Sequence, residues 1–427
     1  MKTIRIGFLG LGTVGQGVWE QLILKSKVWN EKLDVDFVPV KASVRNLSKR
    51  RDVSIPEHAL TTDSMSIVED PSIDVIIELI GGIRDARELT LRAFANGKSV
   101  ITANKALICE HGRELLEAAQ LAGVQYLYEA SVAGGIPIIK VIQEAFVGNR
   151  IHSLQGILNG TSNYILTRME RASIPYPDAL AEAKALGYVE QDESLDLDGF
   201  DAAHKLIILA YLCYQQWFSI DDIHVEGIRN VSLHDMRAAA RQGYKIKLIA
   251  TLRRIPEQDC IECSVRPSLV PMSNNLAAVE DAFNGVCIQG DIVGTSFLIG
   301  RGAGREPTAS AVISDIVDLV RNPKERKLMV ADRTASLATP EAIHQSYYLR
   351  IEVDDVRGVL SEITQILSRN NISISTIDQS LDTRRASASI TLTTHDCRDQ
   401  DVKLACQAIL NHSFVKDDIV VFPILEI

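Results

Sequence analysis

Residues 187–205 read Gly-Tyr-Val-Glu-Gln-Asp-Glu-Ser-Leu-Asp-Leu-Asp-Gly-Phe-Asp-Ala-Ala-His-Lys, six carboxylates ahead of a single lysine. Asp201 and Lys205 are four apart, so on a helix they share a face and can pair. The chain then enters Leu-Ile-Ile-Leu-Ala-Tyr-Leu-Cys, a nearly unbroken apolar helix pattern. A lysine at the mouth of a buried helix, beside fixed carboxylates, can deliver a proton to a developing negative charge. The same residues also make an acidic, solvated loop capping a core helix, and taken alone they do not separate the two readings.

The elements that must position them come earlier in the chain. An apolar strand over residues 3–9 runs into Gly10-Leu-Gly12-Thr13-Val14-Gly15, followed by a helical pattern through Val18, Leu22 and Ile23. Between a strand and a helix, such glycines allow a tight turn and a close approach of pyrophosphate to the helix N-terminus. A second strand near Val35–Val44 ends at Arg45, with Lys49, Arg50 and Arg51 close behind. Arg45 and these neighbours suit a 2′-phosphate, which favours NADP over NAD, or else form a solvated basic loop. Strands at 74–80 and 99–102 follow, and the latter delivers Ala103-Asn104-Lys105 on a loop at its carboxyl end, the edge where open parallel sheets bind ligands. A helix over 111–122 and a strand over 125–129 complete a doubly wound alternation. Glu129-Ala-Ser-Val132-Ala-Gly134-Gly-Ile136 leaves the sheet as a small-residue loop whose carbonyls and one carboxylate can hold a hard cation or simply turn.

From residue 138 the pattern becomes mixed α+β, with a polar turn at 159–163 and strands expected near 151–158, 245–252, 261–266, 286–290 and 296–299. Gly300-Arg-Gly302-Ala-Gly304 and the helix after it read as the chain returning to the nucleotide domain. The last eighty residues run strand, helix, strand, strand, helix, strand, the ferredoxin-like order. The fold class is therefore α/β, with a Rossmann-type first domain, an α+β second domain and a ferredoxin-like third. The 427 residues are 46% hydrophobic and 23% charged, ordinary globular material. A net charge of −10 argues against nucleic acid or an anionic membrane as partner. No apolar run reaches membrane-spanning length, and the N-terminus has no signal-peptide pattern. Seven cysteines without a disulfide framework suit a reducing cytoplasm, and Cys260-Ile-Glu-Cys263 reads as structural.

The segments GLGTVGQGV, ITANKALI, EASVAGGIPII, ILNGTSNYIL, LDLDGFDAAHKL and GRGAGREPTASAV occur in one order along the chain. Together they resemble the monofunctional homoserine dehydrogenases that carry a C-terminal ACT domain. The resemblance covers essentially the whole chain. It implies reversible reduction of L-aspartate 4-semialdehyde to L-homoserine with NADP or NAD, on the way to threonine, methionine and isoleucine. It implies Lys205 as proton donor with Asp201 beside it, and Lys105 as a second active-site lysine near the nicotinamide. Substrate binding falls to Gly187, Glu190 and Asp196, and cofactor binding to Gly10, Gly12, Thr13, Val14, Gly15, Arg45, Lys105 and Gly302. A sodium ion is implied at the Glu129 side chain and backbone oxygens of Val132, Gly134 and Ile136. The domains are then residues 1–137 with 301–325 for NADP, 138–300 for substrate and dimerisation, a linker over 326–345, and an ACT-like regulatory domain over 346–427. A homodimer or homotetramer and an amino-acid effector, threonine, are expected. Glu193 stands where the family usually has proline, which adds a charge and loosens the turn. Arg305-Glu306 replace a usually small or apolar pair. A dehydrogenase of a related amino-acid semialdehyde and a non-catalytic amino-acid sensor are the alternatives, and the intact Lys105 and Lys205 argue against the sensor.

Overall fold

The computed structural model of the chain describes residues 2–189, 193–322, 335–382 and 387–426. They divide into two compact units, one of residues 2–150, 207–219 and 300–322, the other of 151–206, 220–299 and the described residues from 335 on.

In the first unit, strands β1 (Lys2–Leu9), β2 (Val35–Ser43), β3 (Leu60–Thr61), β4 (Val75–Glu78), β5 (Ser99–Thr102) and β6 (Tyr126–Leu127) form one sheet. Their order is β3-β2-β1-β4-β5-β6, and every pairing is parallel. The chain winds one way from β1 and the other way from β4, which leaves a crevice at the carboxyl ends of these two strands. β4 is buried at all four positions, as expected of an inner parallel strand covered on both faces. Phe8, Val18, Trp19 and Leu22 pack with Val312 and Ile316 of the helix Arg305–Arg321 in one core. Burying each of the larger side chains contributes roughly 1.5–3 kcal/mol. Residues 305–321 thus pack into the first unit. A Cβ on Gly17 would lie 2.9 Å from Arg305 Cγ, so that helix contact requires glycine. Arg305, unusual by type, pairs with Glu20 at 2.9 Å.

The second unit holds a larger sheet and a smaller one. The larger contains β7 (Ile151–Ile157), β8 (His224–Val225), β9 (Tyr244–Ile255), β10 (Cys260–Pro271), β11 (Phe283–Gly290), β12 (Gly294–Arg301) and β13 (Ser336–Leu337). Its order is β12-β11-β7-β9-β10-β13, with β8 also on β10. β13 lies within the stretch expected to be a linker and runs parallel to β10 at Cys260 and Ile261. The linker's residues 326–334 fall outside the described residues. Cys260 and Cys263 are both buried within β10. After the short pair β14 (His344–Gln345) and β18 (Cys397–Arg398), the smaller sheet has β15 (Tyr347–Asp354), β16 (Ile374–Asp382), β17 (Ser387–Thr394) and β19 (Val420–Pro423). Its order, β16-β17-β15-β19, with helices Val359–Arg369 and Asp399–Leu410, is the ferredoxin-like arrangement. Among the described residues, no helix is long and apolar enough to cross a membrane.

One core lysine carries a pH prediction. Lys247 on β9 is 1% exposed, and its Nζ donates to Val279 O at 2.7 Å and Asn163 Oδ1 at 3.1 Å. Burial lowers its pKa to about 8, because the charged form loses water. The folded value lies below the unfolded one, so between about pH 8 and 10.5 the unfolded chain binds more protons and stability rises with pH. Lys247→Met should remove that rise, worth roughly 3 kcal/mol at most. Urea midpoints of both proteins at pH 7.5 and 10 check this, and parallel pH dependences would contradict it.

Candidate active site

The glycine turn after β1 divides its tasks by geometry. Gly10 has φ +93°, and a Cβ there would lie 2.6 Å from Leu79 O. A Cβ on Gly15 would meet Gly10 O at 2.7 Å, so the first turn of the helix can close on the loop only as glycine. Gly12, the N-cap of helix Thr13–Leu24, has nothing within 4 Å of its Cβ direction. That open side, next to Thr13, Val14 and the positive helix end, fits a pyrophosphate. Arg45 is exposed two residues past the end of β2.

Lys105 is not on a loop, as expected from sequence, but is the first residue of helix Lys105–Ala122. Asn104 makes the difference. Its side chain accepts from Leu107 N at 3.1 Å and donates to Gly82 O at 2.6 Å. Behind it, Thr102 Oγ1 accepts from Asn104 N at 2.9 Å and donates to Glu78 Oε2 at 2.6 Å, and Ile80 N donates to Glu78 Oε1 at 3.0 Å. Glu78 is fully buried, and the loss of water raises its pKa. A buried carboxylate at the end of β4 thus ties the Gly81-Gly82 loop to the start of the lysine's helix. Sequence reasoning passed over Glu78 and Asn104. The Asn-Lys-Ala-Leu run carries an N-cap signal that would have found the second.

The loop after β6 approaches the glycine-rich segment of the same unit. Gly135 N donates to Arg301 O at 2.9 Å, and a Cβ on Gly134 would lie 3.2 Å from Gly302 O. Glu129 is buried, and its two oxygens accept from Ile139 N at 3.0 Å and Lys140 N at 2.9 Å. Burial pushes its pKa up to about 7 despite these bonds. Its own N–H donates to Asp315, whose carboxyl is raised by burial and then by the Glu129 charge. Val132, Gly134 and Ile136 follow within the same buried loop, which passes through Ala133 at φ +49°. Ile136 O accepts from Ile138 N at 2.7 Å.

The second unit carries the acidic segment. Gly187, at φ +75°, closes the helix Tyr176–Ala185 by donating to Lys184 O at 3.0 Å. Glu190 lies outside the described residues. Asp196 sits in the short helix Ser194–Leu197, and Asp201 and Lys205 lie in the first turns of helix Phe200–Tyr214. Asp201 and Lys205 are 7% and 8% exposed and pair at 2.6 Å, as the four-residue spacing predicted. Lys205 Nζ also donates to Leu158 O at 2.7 Å. A residue absent from the sequence-based list binds the group together. Asn159 Nδ2 donates to Asp196 Oδ1 at 2.7 Å and to Asp201 Oδ2 at 2.8 Å. Two carboxylates against one ammonium suit a cationic group on a small molecule, and a lysine so placed can give a proton.

Residues 190–192, just ahead of Glu193, lie outside the described residues, and the Glu193 side chain itself is held by two cations. Its carboxylate reaches Lys184 at 2.5 Å and Arg229 at 3.2 Å, and Arg229 also holds Asp198 at 2.5 Å. Lys184 and then Arg229 hold the Glu193 pKa below the usual carboxylate range. Each pair is partly exposed and contributes at most about 1 kcal/mol, and together they anchor the Glu193 and Asp198 side chains.

Three family models match in succession. They are the NAD-binding domain of homoserine dehydrogenase over residues 10–129, homoserine dehydrogenase over 137–317, and the ACT domain over 347–411. The homoserine dehydrogenase of Synechocystis sp. is 40% identical, covering 97% of this chain and 98% of its own. A crystal structure of a homoserine dehydrogenase from Thiobacillus denitrificans superposes with a TM-score of 0.92 at 39% identity, covering 100% of this chain and 99% of its own. A hyperthermophilic archaeal homoserine dehydrogenase in complex with NADPH gives a TM-score of 0.64 at 26% identity, covering 76% of this chain and all of its own.

Proposed function

The chain belongs to the homoserine dehydrogenase family, NAD(P)-dependent oxidoreductases acting on a CH–OH group, and from that membership we propose how its own residues interconvert L-aspartate 4-semialdehyde and L-homoserine. The observation that carries the proposal is the group of buried Asn159, Asp201 and Lys205 with the half-buried Asp196. When bound, the reduced nicotinamide supplies hydride to the aldehyde carbon. Lys205, as ammonium, stabilises the alkoxide that forms and gives its proton to that oxygen; in oxidation the neutral amine takes the hydroxyl proton back. Asp201 holds the ammonium in place through the 2.6 Å pair. Asp196, with Glu190, takes the substrate's amino group, and the backbone at Gly187 shapes the same loop. Lys105 is the second active-site cation, held at the head of its helix by the Asn104 cap.

The cofactor reading is NADP ahead of NAD. Gly10, Gly12, Thr13, Val14 and Gly15 receive the pyrophosphate, Arg45 the 2′-phosphate, and Gly302 lies in the segment that closes over the cofactor. The NADPH held by the archaeal relative supports this choice. A sodium ion fits Glu129 with the backbone oxygens of Val132, Gly134 and Ile136, because a cation there would relieve a buried carboxylate that is now costly to ionise. Sodium chloride should then raise the melting temperature above that in choline chloride at equal ionic strength. Equal values would remove the ion.

Threonine is the effector proposed for the ACT domain, the free cysteines among the described residues suit the cytoplasm, and a homodimer or homotetramer is the proposed assembly. Assays with L-homoserine and each oxidised cofactor, with and without threonine, test the whole. The expected result is turnover with a higher kcat/KM for NADP⁺ and inhibition by threonine. Folded protein that turns over neither cofactor would sink the proposal. Threonine without effect on rate or melting temperature would remove the regulatory part, and a monomer by light scattering the assembly.

A further inference from the structure

Asn159 precedes the helix Gly160–Ala172 and is 4% exposed. Each end of its amide is engaged. Oδ1 accepts from Ser162 N at 2.7 Å, which caps the helix, and Nδ2 donates to both Asp196 and Asp201. The opposite orientation would turn its carbonyl against two carboxylates and its amino group against a backbone N–H, so the network admits only one. The oxygen of Asp201 that receives this amide, Oδ2, is the same oxygen that receives Lys205. The neighbouring Leu158 carbonyl takes another proton of that lysine. One dipeptide, Leu158-Asn159, therefore touches both members of the ion pair and reaches the second carboxylate as well. Ser162 Oγ donates to the backbone oxygen of Asp196 at 2.7 Å, which pins the same short helix a second time.

We propose that Asn159 is a positioning residue of the proton-delivery site, its carboxamide holding Asp196 and Asp201 on one neutral nitrogen and thereby fixing the charge that faces Lys205. The inference rests on the reading of Lys205 as proton donor. A neutral amide suits the place because it donates to both carboxylates while adding no charge of its own. A cation there would cancel the negative charge that receives the substrate's amino group. A third carboxylate would raise the proton affinity of the whole group. A residue without donors would remove the hydrogen bond that each carboxylate accepts from this nitrogen.

The helix cap and the bridge can be separated by substitution. Serine and aspartate both serve well as N-caps, so Asn159→Ser and Asn159→Asp keep the capping acceptor and lose the two-donor nitrogen that bridges the carboxylates. For Asn159→Ser, kcat should fall about tenfold to a hundredfold, the range expected when a reacting group is misplaced, with NADP⁺ affinity within about twofold of the parent. For Asn159→Asp, the pH of half-maximal kcat in homoserine oxidation should move up by about one unit or more, since added negative charge strengthens proton binding by Lys205. Circular dichroism across the same pH range, expected to stay constant, separates this shift from pH-dependent unfolding. Parental kcat in the first variant and an unmoved pH midpoint in the second would overturn the inference, as would losses confined to KM. A Lys205→Arg control separates the two levels. If it is inactive while the Asn159 variants behave as the parent, only the role of Asn159 falls. If it turns over normally, the proton-donor reading falls and takes the inference with it.

Discussion

Asp235→Ala should destabilise the protein by about 3–5 kcal/mol, the cost of removing one member of a buried, hydrogen-bonded charge pair. Asp235 is fully buried near the start of the helix Leu233–Arg241. One carboxylate oxygen accepts from Ser232 N at 3.0 Å and Ser232 Oγ at 2.6 Å, which completes a capping box. The other accepts from Tyr348 OH at 2.9 Å and Arg350 Nε at 2.7 Å, both on β15 of the ACT domain. Alanine would remove the carboxylate half of the capping box and leave a buried phenol and a half-buried guanidinium without this acceptor. Arg350 retains Glu352 at 3.1 Å, which limits the loss without removing it. Asp235→Asn keeps an acceptor oxygen but not the charge, and should fall between the parent and alanine. Urea midpoints followed through tyrosine fluorescence check this. An alanine variant within about 1 kcal/mol of the parent would mean that this contact does not hold the ACT domain to the helix Leu233–Arg241.

Much of this was legible in the sequence where the causes were local. The four-residue spacing of Asp201 and Lys205 predicted a pair because helix geometry places such residues together. The strand, glycine turn and helix at the N-terminus predicted the nucleotide sheet, because only that order gives glycine its three uses. Elements of two residues were not legible. Leu60–Thr61 and Ser336–Leu337 are too short to show a period, and they are strands only because a neighbour's edge accepts them. Asn159 escaped for a different reason. Its segment reads as a polar turn, and its partners Asp196 and Asp201 are 37 and 42 positions away, a pairing that tertiary folding alone creates. The partners of the Glu193 side chain, Lys184 and Arg229, were not legible either, because they belong to other segments. Local rules thus yielded the elements and one ion pair, while the polar network around that pair came from packing.

Lys205→Ala should lower kcat about a hundredfold to ten-thousandfold, the range that a positioned general acid contributes. Cofactor affinity should hold, since the glycine turn and Arg45 lie in the nucleotide-binding unit and lose nothing by the change. The alanine variant also leaves Asp201 buried without its cation, which costs stability, so a second substitution is needed to isolate the chemistry. Lys205→Arg provides it. A guanidinium keeps a positive charge beside Asp201, yet with a pKa above about 12 it does not give up a proton at neutral pH. Charge alone would therefore preserve activity in arginine, whereas proton delivery would not. The direct measurement is the single-turnover rate of NADPH oxidation by L-aspartate 4-semialdehyde in the parent and in Lys205→Arg, both saturated with cofactor. A rate at least about a hundredfold lower in the variant, at unchanged NADPH affinity, is the predicted result. An equal rate in the two proteins would contradict the assignment of Lys205 as the proton donor.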